Sequence, residues 1–162
     1  MVWQKHSSEP IALYWNDLSN ARAVIRRVYD VCATQAGEKG VLLSLDLPAD
    51  PMPLVADGVQ MQRALINLVN NAIEASSAGQ PVALLAARGH KGLVIQIRDH
   101  GPGMDSEVLE KLFTPFFTTK RGGTGLGIGI VRKIIEAHKG TIRIESKQGA
   151  GTDVIIELPY KD

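Results

Sequence analysis

The chain is short of several things, and each shortage removes a class of protein. It holds one cysteine, Cys32. A lone cysteine cannot close a disulfide within the chain or build a cysteine-based metal cluster. Cys32 falls inside a helical pattern, where it reads as a small core residue. Neither sign of charge dominates: 18 Lys and Arg stand against 17 Asp and Glu, for a formal net charge of +1. A nucleic-acid platform carries a clustered basic excess, so none is expected here. No run approaches the roughly 18 consecutive apolar residues of a membrane-spanning helix, and direct membrane contact is not expected. Met1 to Pro10 lacks the apolar stretch of a signal peptide. There is no internal repeat and no low-complexity tract. Phenylalanine is scarce, and all three copies fall between Phe113 and Phe117.

What is present fits one folded unit. A length of 162 residues and a hydrophobic fraction of 44% suffice for a single sizeable core. Residues 1–9 are polar and expected to be a linker or remnant ahead of a domain spanning 10–162. Most of the 16 glycines crowd into residues 89–103, 122–129 and 149–151.

Periodicity gives the elements. Leu18, Ala21, Val24, Ile25, Val28, Val31 and Cys32 recur at threes and fours, predicting a helix from Asp17 to Glu38 that Gly40 closes. Val41–Leu47 reads as a strand, and residues 48–53, with three prolines, as a loop. A second helix is expected from Asp57 or Gly58 to Ser76. Val82–Arg88 and Leu93–Asp99 form a hairpin around Gly89-His90-Lys91-Gly92. Residues 100–124 read as a long loop with one short helix N-capped by Asp105. A third long helix is expected from Gly125 to His138, closed by Lys139-Gly140, before strands Thr141–Ser146 and Thr152–Leu158. About five strands and three main helices in this order suggest a two-layer α/β sandwich. A loop of some 20 residues inside a compact domain is usually functional, often a lid.

Four blocks carry chemistry. On the second helix, Arg63, Asn67, Asn70, Asn71 and Glu74 share one face, and the opposite arc is apolar. Asparagine is a poor helix former. This stripe is either a plain polar face or a set of neutral hard ligands for a Mg²⁺ that arrives with phosphate oxygens. Asp99-His100-Gly101-Pro102-Gly103 follows an apolar strand. It is either an ordinary turn or a carboxylate that accepts a ligand amine, with glycines allowing close backbone approach. Gly122 to Gly129 opens an amphipathic helix, so its backbone N–H groups and the helix dipole can cradle phosphate. The Gly-Lys-[Ser/Thr] ending of a P-loop is missing, and no long crossover suits a dinucleotide fold. Phe113-Thr114-Pro115-Phe116-Phe117 lies on the long loop as a hydrophobic anchor, followed by Lys120 and Arg121, which can reach a phosphate.

Together these blocks resemble the catalytic and ATP-binding domain of sensor histidine kinases, in the group that includes gyrase, Hsp90 and mismatch-repair ATPases. The N box is similar to Asn67-Leu68-Val69-Asn70-Asn71-Ala72, the first glycine box to Asp99–Gly103, the F box to Phe113–Phe117 and the second glycine box to Gly123-Thr124-Gly125-Leu126-Gly127. Gly149-Ala150-Gly151-Thr152 supplies a further glycine block. The resemblance covers residues from about 10 to 160. It implies a Bergerat-type sandwich with a mixed sheet and an ATP lid, binding ATP and Mg²⁺. Asn71 would coordinate Mg²⁺, with Asn67 near the phosphates. Asp99 would take the adenine amine, Thr152 would lie close to the base, and Gly101 and Gly103 would line the pocket. Gly123, Thr124, Gly125, Leu126 and Gly127 would form the phosphate loop, and Lys120 would hold the γ-phosphate. Asn67, Asn71 and Lys120 would be the catalytic set.

The family's phosphoacceptor histidine lies on a dimerisation helix ahead of an acidic residue. None of His6, His90, His100 and His138 matches that box, so the acceptor is expected on a separate dimerisation domain of the same parent protein. A response regulator would be the next partner. The domain would be cytoplasmic, with a parent that is soluble or anchored in the inner membrane. His100 stands where an Asn is usual and reads as a loop residue. Ile128-Gly129 stands where Leu-Ala is common. Glu74 is a candidate water-mediated Mg²⁺ contact or a solvated polar group. The alternatives are a serine kinase of the anti-sigma-factor type and a non-catalytic nucleotide sensor.

Overall fold

The computed structural model describes residues 18–49, 52, 56–115 and 127–160. Its elements run α1 (Leu18–Lys39), β1 (Leu42–Asp46), α2 (Gly58–Ala75), β2 (Pro81–Arg88), β3 (Gly92–Asp99), α3 (Ser106–Lys111), α4 (Gly127–Ala137), β4 (Thr141–Ser146) and β5 (Thr152–Pro159). Five strands form one mixed sheet in the order β1-β2-β3-β5-β4. β1 pairs parallel to β2, and every other pairing is antiparallel. The two expected hairpins are β2–β3 and β4–β5. They join through β3 and β5, so the last strand lies inside the sheet and β4 is an edge.

The helices cover one face of that sheet. Alternate residues Val82, Leu84, Ile95, Ile97, Val154 and Ile156 point into the core, as period-two alternation requires. From the helices come Ile25, Val28 and Cys32 of α1, Leu65, Leu68, Val69 and Ile73 of α2, and Val131 and Ile135 of α4. Cys32 is a core residue, 1% exposed, and burial pushes its thiol up to about 11. Asp57 caps α2, its Oδ1 accepting from Val59 N and Gln60 N at 3.0 and 3.1 Å. Its own backbone N–H donates to His138 Nε2 at 2.9 Å, while His138 Nδ1 lies 2.7 Å from Ile134 O. One imidazole thus ties the end of α4 to the start of α2. Asp105 caps α3 as expected, accepting from Val108 N at 2.9 Å.

Two helix ends share one solution with different residues. At the end of α1, Val41 N donates to Ala36 O and Gly40 N to Gly37 O, with Gly40 at φ +78°. This is the double-bonded C-terminal turn that favours glycine. At the end of α4, Gly140 N donates to Ile135 O and Lys139 N to Glu136 O. There the positive φ, 61°, falls on Lys139 and not on the glycine. Gly140 is needed for another reason: a Cβ on it would sit 2.7 Å from Glu157 O, against β5. Left-handed backbone costs a residue with a Cβ roughly 1 kcal/mol. Lys139→Gly is therefore expected to raise stability by about 0.5–1 kcal/mol, read as a higher midpoint in urea unfolding with an unchanged slope.

Candidate functional site

Between α2 and the sheet lies a cavity of about 360 Å³. Strand pairing builds its floor as two cross-strand rows. Ile144, Val154 and Ile97 stand side by side on β4, β5 and β3, and one step on stand Ser146, Thr152 and Asp99. The first row is apolar and the second polar. All but Ser146 line this cavity. Above them are Leu68, Asn71, Ala72 and Ala75 of α2 and Ile128 of α4, with Pro102, Gly103, Met104 and Leu112 closing the sides. A flat apolar group fits over the first row, with its polar edge at the second.

Asp99 is 7% exposed. Its Oδ1 accepts from Gly101 N at 2.9 Å. Burial raises its pKa above the ordinary carboxylate value, and N–H groups of Gly101 and Thr152 partly oppose that rise. A buried carboxylate held by two backbone donors is a fixed acceptor at the cavity wall.

The glycines of this loop are tightly enclosed. A Cβ on Gly101 would lie 2.5 Å from Ala75 O, at the end of α2. Gly103 and Gly151 have φ of +69° and +82°. Side chains there would run into the carbonyl oxygens of Lys147 and Asp99, respectively. The loop after β3 is also bonded to the β4–β5 turn. Gly149 N donates to Pro102 O at 2.6 Å, and Met104 N donates to Ser146 Oγ at 2.8 Å.

On α2, Asn71 Nδ2 donates to Asn67 Oδ1 at 3.1 Å, one helical turn away. A Cβ on Gly127, the first described residue of α4, would meet Asn67 Nδ2 at 3.0 Å. Asn67 therefore sits where the two helices meet. The structure thus brings Asn67, Asn71, Asp99, Gly101, Gly103, Gly127 and Thr152 to one region, with Asn71, Asp99, Gly103 and Thr152 on the cavity itself. Lys120, Gly123, Thr124, Gly125 and Leu126 lie outside the described residues, as do Phe116 and Phe117. Phe113 is described, with the Arg132 guanidinium of α4 4.8 Å from its ring centroid.

The asparagine stripe divides. Asn71 and Glu74 line the cavity, whereas Asn70 does not, and its Oδ1 is buried without a hydrogen-bond partner among the described residues. His100 is exposed outside the cavity, its backbone oxygen accepting from Gln80 Nε2. It is a loop residue, as its position suggests. Ser146 was not legible as a site residue. Its one available signal was parity, since it shares a face with Ile142 and Ile144.

Comparison with known proteins agrees with this geometry. A family model described as histidine kinase-, DNA gyrase B-, and HSP90-like ATPase matches residues 56–162. Sporulation kinase E of Bacillus subtilis is 34% identical over 155 residues, covering 95% of this chain and 21% of its own length. The sensor histidine kinase ZraS of Escherichia coli is 38% identical over 111 residues, covering 68% of this chain and 24% of its own. The chain thus spans about a fifth to a quarter of the length of these curated relatives. Among solved structures, the catalytic domain of the histidine kinase ThkA superposes with a TM-score of 0.79 at 33% identity, covering 88% of this chain and 96% of that one. The full-length kinase ShkA, solved with AMPPNP, superposes with a TM-score of 0.77 at 26% identity, covering 85% of this chain and 29% of that one. The chain belongs to the histidine kinase-, DNA gyrase B- and HSP90-like ATPases, as an ATP-binding catalytic domain of the sensor-kinase kind.

Proposed function

We propose that residues 10–162 form a domain that binds ATP with Mg²⁺ and delivers the γ-phosphoryl group to a histidine on a separate dimerisation domain of the parent protein. A response-regulator aspartate would receive it next. The observation that carries this reading is the convergence of Asp99, Thr152 and Asn71 on one cavity with an apolar floor. The base lies on the row Ile144–Val154–Ile97, and Asp99 accepts its exocyclic amine. Gly101 and Gly103 keep the loop close enough to bound it. The phosphates extend toward the start of α4. There the N–H groups of Gly123, Thr124, Gly125, Leu126 and Gly127 and the helix dipole favour negative charge, with Lys120 on the γ-phosphate.

The donor set suits a cation that arrives already bound to phosphate. Among the described residues no cluster of three or more His, Cys, Asp or Glu side chains could hold a metal alone. Asn71 offers a neutral hard oxygen, and Mg²⁺ is usually held by few protein ligands plus phosphate and water. Bound there, Mg²⁺ would neutralise phosphate charge. The protein's own part is positioning: Asn67 holds the Asn71 carboxamide, and the glycine-rich loop would supply N–H groups. Phosphoryl transfer depends on such positioning and charge stabilisation. The acceptor imidazole nitrogen forms a bond to the γ-phosphorus as its bridging bond to ADP breaks. No described helix is long and apolar enough to cross a membrane. The domain works in the cytoplasm, where ATP is, with the parent soluble or anchored in the inner membrane.

Three results test this. Asp99→Asn is expected to weaken ATP binding about 10- to 100-fold, since a hydrogen bond to a charged group contributes about 1.5–3 kcal/mol. Isothermal titration calorimetry reads it, and unchanged affinity would remove the adenine role. The variant should remain folded at pH 7. With its pKa raised by burial, Asp99 contributes most to stability below the ordinary range near about 3.9. That contribution is lost as pH rises through the raised value, so removing the charge relieves a cost at neutral pH. The pKa shift has a second consequence: nucleotide affinity should begin to fall on acidification above the pH at which an ordinary aspartate protonates. A flat titration down to about pH 4 would contradict an ionised Asp99 as the acceptor. Third, Asn71→Ala should abolish most of the gain in ATP affinity on adding Mg²⁺, about tenfold or more, while leaving affinity in EDTA little changed. Equal losses in both conditions would assign Asn71 to the fold instead.

A further inference from the structure

The polar row of the cavity floor has a fixed hydrogen-bond polarity, and its source is a residue that does not line the cavity. Ser146 Oγ makes three contacts. Met104 N donates to it at 2.8 Å. It donates to Gly151 O at 2.9 Å. Thr152 Oγ1 lies 2.8 Å away. A serine hydroxyl has one proton and two acceptor lone pairs. A carbonyl oxygen only accepts, so the Ser146 proton belongs to Gly151 O. A backbone N–H only donates, so one lone pair belongs to Met104 N. The remaining contact has one consistent assignment: Thr152 donates its hydroxyl proton to Ser146. Every valence of Ser146 is then used.

The Thr152 proton is therefore turned away from the ligand, and its hydroxyl offers the cavity lone pairs only. Its register partner Asp99 offers a carboxylate, which also only accepts. The two neighbouring side chains that read the edge of a bound base thus form an acceptor-only pair. Seated between Asp99 and Thr152, an exocyclic amine has two N–H groups, one for each acceptor. A base with a carbonyl oxygen at that position meets them with a third acceptor, and the hydroxyl that could otherwise rotate to greet it is held. Buried polar groups left unpaired in this way give strong discrimination.

We propose that Ser146 is a specificity-determining positioning residue: by holding the Thr152 hydroxyl proton it makes the cavity edge acceptor-only, so that a 6-aminopurine nucleotide is taken and a 6-oxopurine nucleotide refused. This rests on the nucleotide site proposed above and assigns its selectivity. Asp99 supplies part of the discrimination by its charge, and Ser146 supplies the part that depends on a rotor.

The test is a ratio of affinities, because specificity is a difference between two ligands. Dissociation constants for ATP and inosine triphosphate are measured with Mg²⁺ by titration calorimetry. The unaltered chain should prefer ATP. Ser146→Ala frees the Thr152 rotor to donate, and should lower the ratio Kd(ITP)/Kd(ATP) about tenfold. Ser146→Thr keeps the hydroxyl on a strand residue and should restore the ratio. A merely structural Ser146, stapling Met104 and Gly151, would weaken both nucleotides alike, so an unchanged ratio overturns the inference. If Ser146→Ala does not fold, Thr152→Val answers instead, being an isostere suited to a strand. A fall in its ratio supports the fixed polarity, and an unchanged or higher ratio overturns it. Should the unaltered chain bind no ATP, the nucleotide reading fails and the inference with it. ATP binding with an unmoved ratio defeats the inference alone.

Discussion

Asp99 faces Thr152 because β3 pairs antiparallel with β5, and the rest of the site follows from that pairing. The register that sets Asp99 against Thr152 also sets Ile97 against Val154. The β4–β5 hairpin then adds Ser146 to the polar row and Ile144 to the apolar one. A one-residue slip of β5 would turn Thr152 and Val154 to the other face of the sheet. Register is protected on both sides. Gly151 and Gly103 leave no room for side chains between the loop after β3 and the turn before β5. Ser146 and Gly149 bond the two segments directly. The same contacts that fix the sheet therefore fix the polarity of the cavity edge.

The helical layer adds the second half. α2 lies over the sheet on a run of buried Leu65, Leu68, Val69 and Ile73, which leaves Asn67 and Asn71 turned toward α4 and the cavity. α4 is held against α2 at two places. Near its start Gly127 lies against Asn67, and at its end His138 accepts from Asp57 N. A helix pinned at both ends presents its N-terminus in one place, which is what a phosphate site on that terminus requires. Phe113 reaches the same helix through Arg132, so the described start of the long loop is anchored on α4 too.

Much of this was legible in the sequence, and what was not has identifiable causes. Helices and strands were readable to within a residue or two because both periodicities are strong, from Ala21 to Ala36 and from Val82 to Ile97. The order of the sheet was not readable from periodicity. Two hairpins can join through any of their edges, and the choice of β5 as the neighbour of β3 depends on tertiary contacts. Asn67, Asn71 and Asp99 could be singled out because three asparagines on one helix face are unusual and because the boxes stand together in order, while each block alone left an ordinary polar face or turn open. Ser146 did not, since a serine ending a strand is ordinary until its partners are known. The closure of α4 was legible, but not which of its two residues does what. The pair Lys139-Gly140 does end the helix, with Lys139 carrying the left-handed turn and Gly140 allowing close packing on β5.

The central claim is that a nucleotide lies across the two rows of the cavity floor, with its base over Ile144, Val154 and Ile97. The most direct measurement is a crystal structure of the chain with a non-hydrolysable ATP analogue and Mg²⁺. The account places the exocyclic amine of the base at Asp99 and the phosphates at the start of α4, with Asn71 on the cation. A base seated instead on the outer side of the strands, in the groove between Arg98 and Glu145, would contradict it.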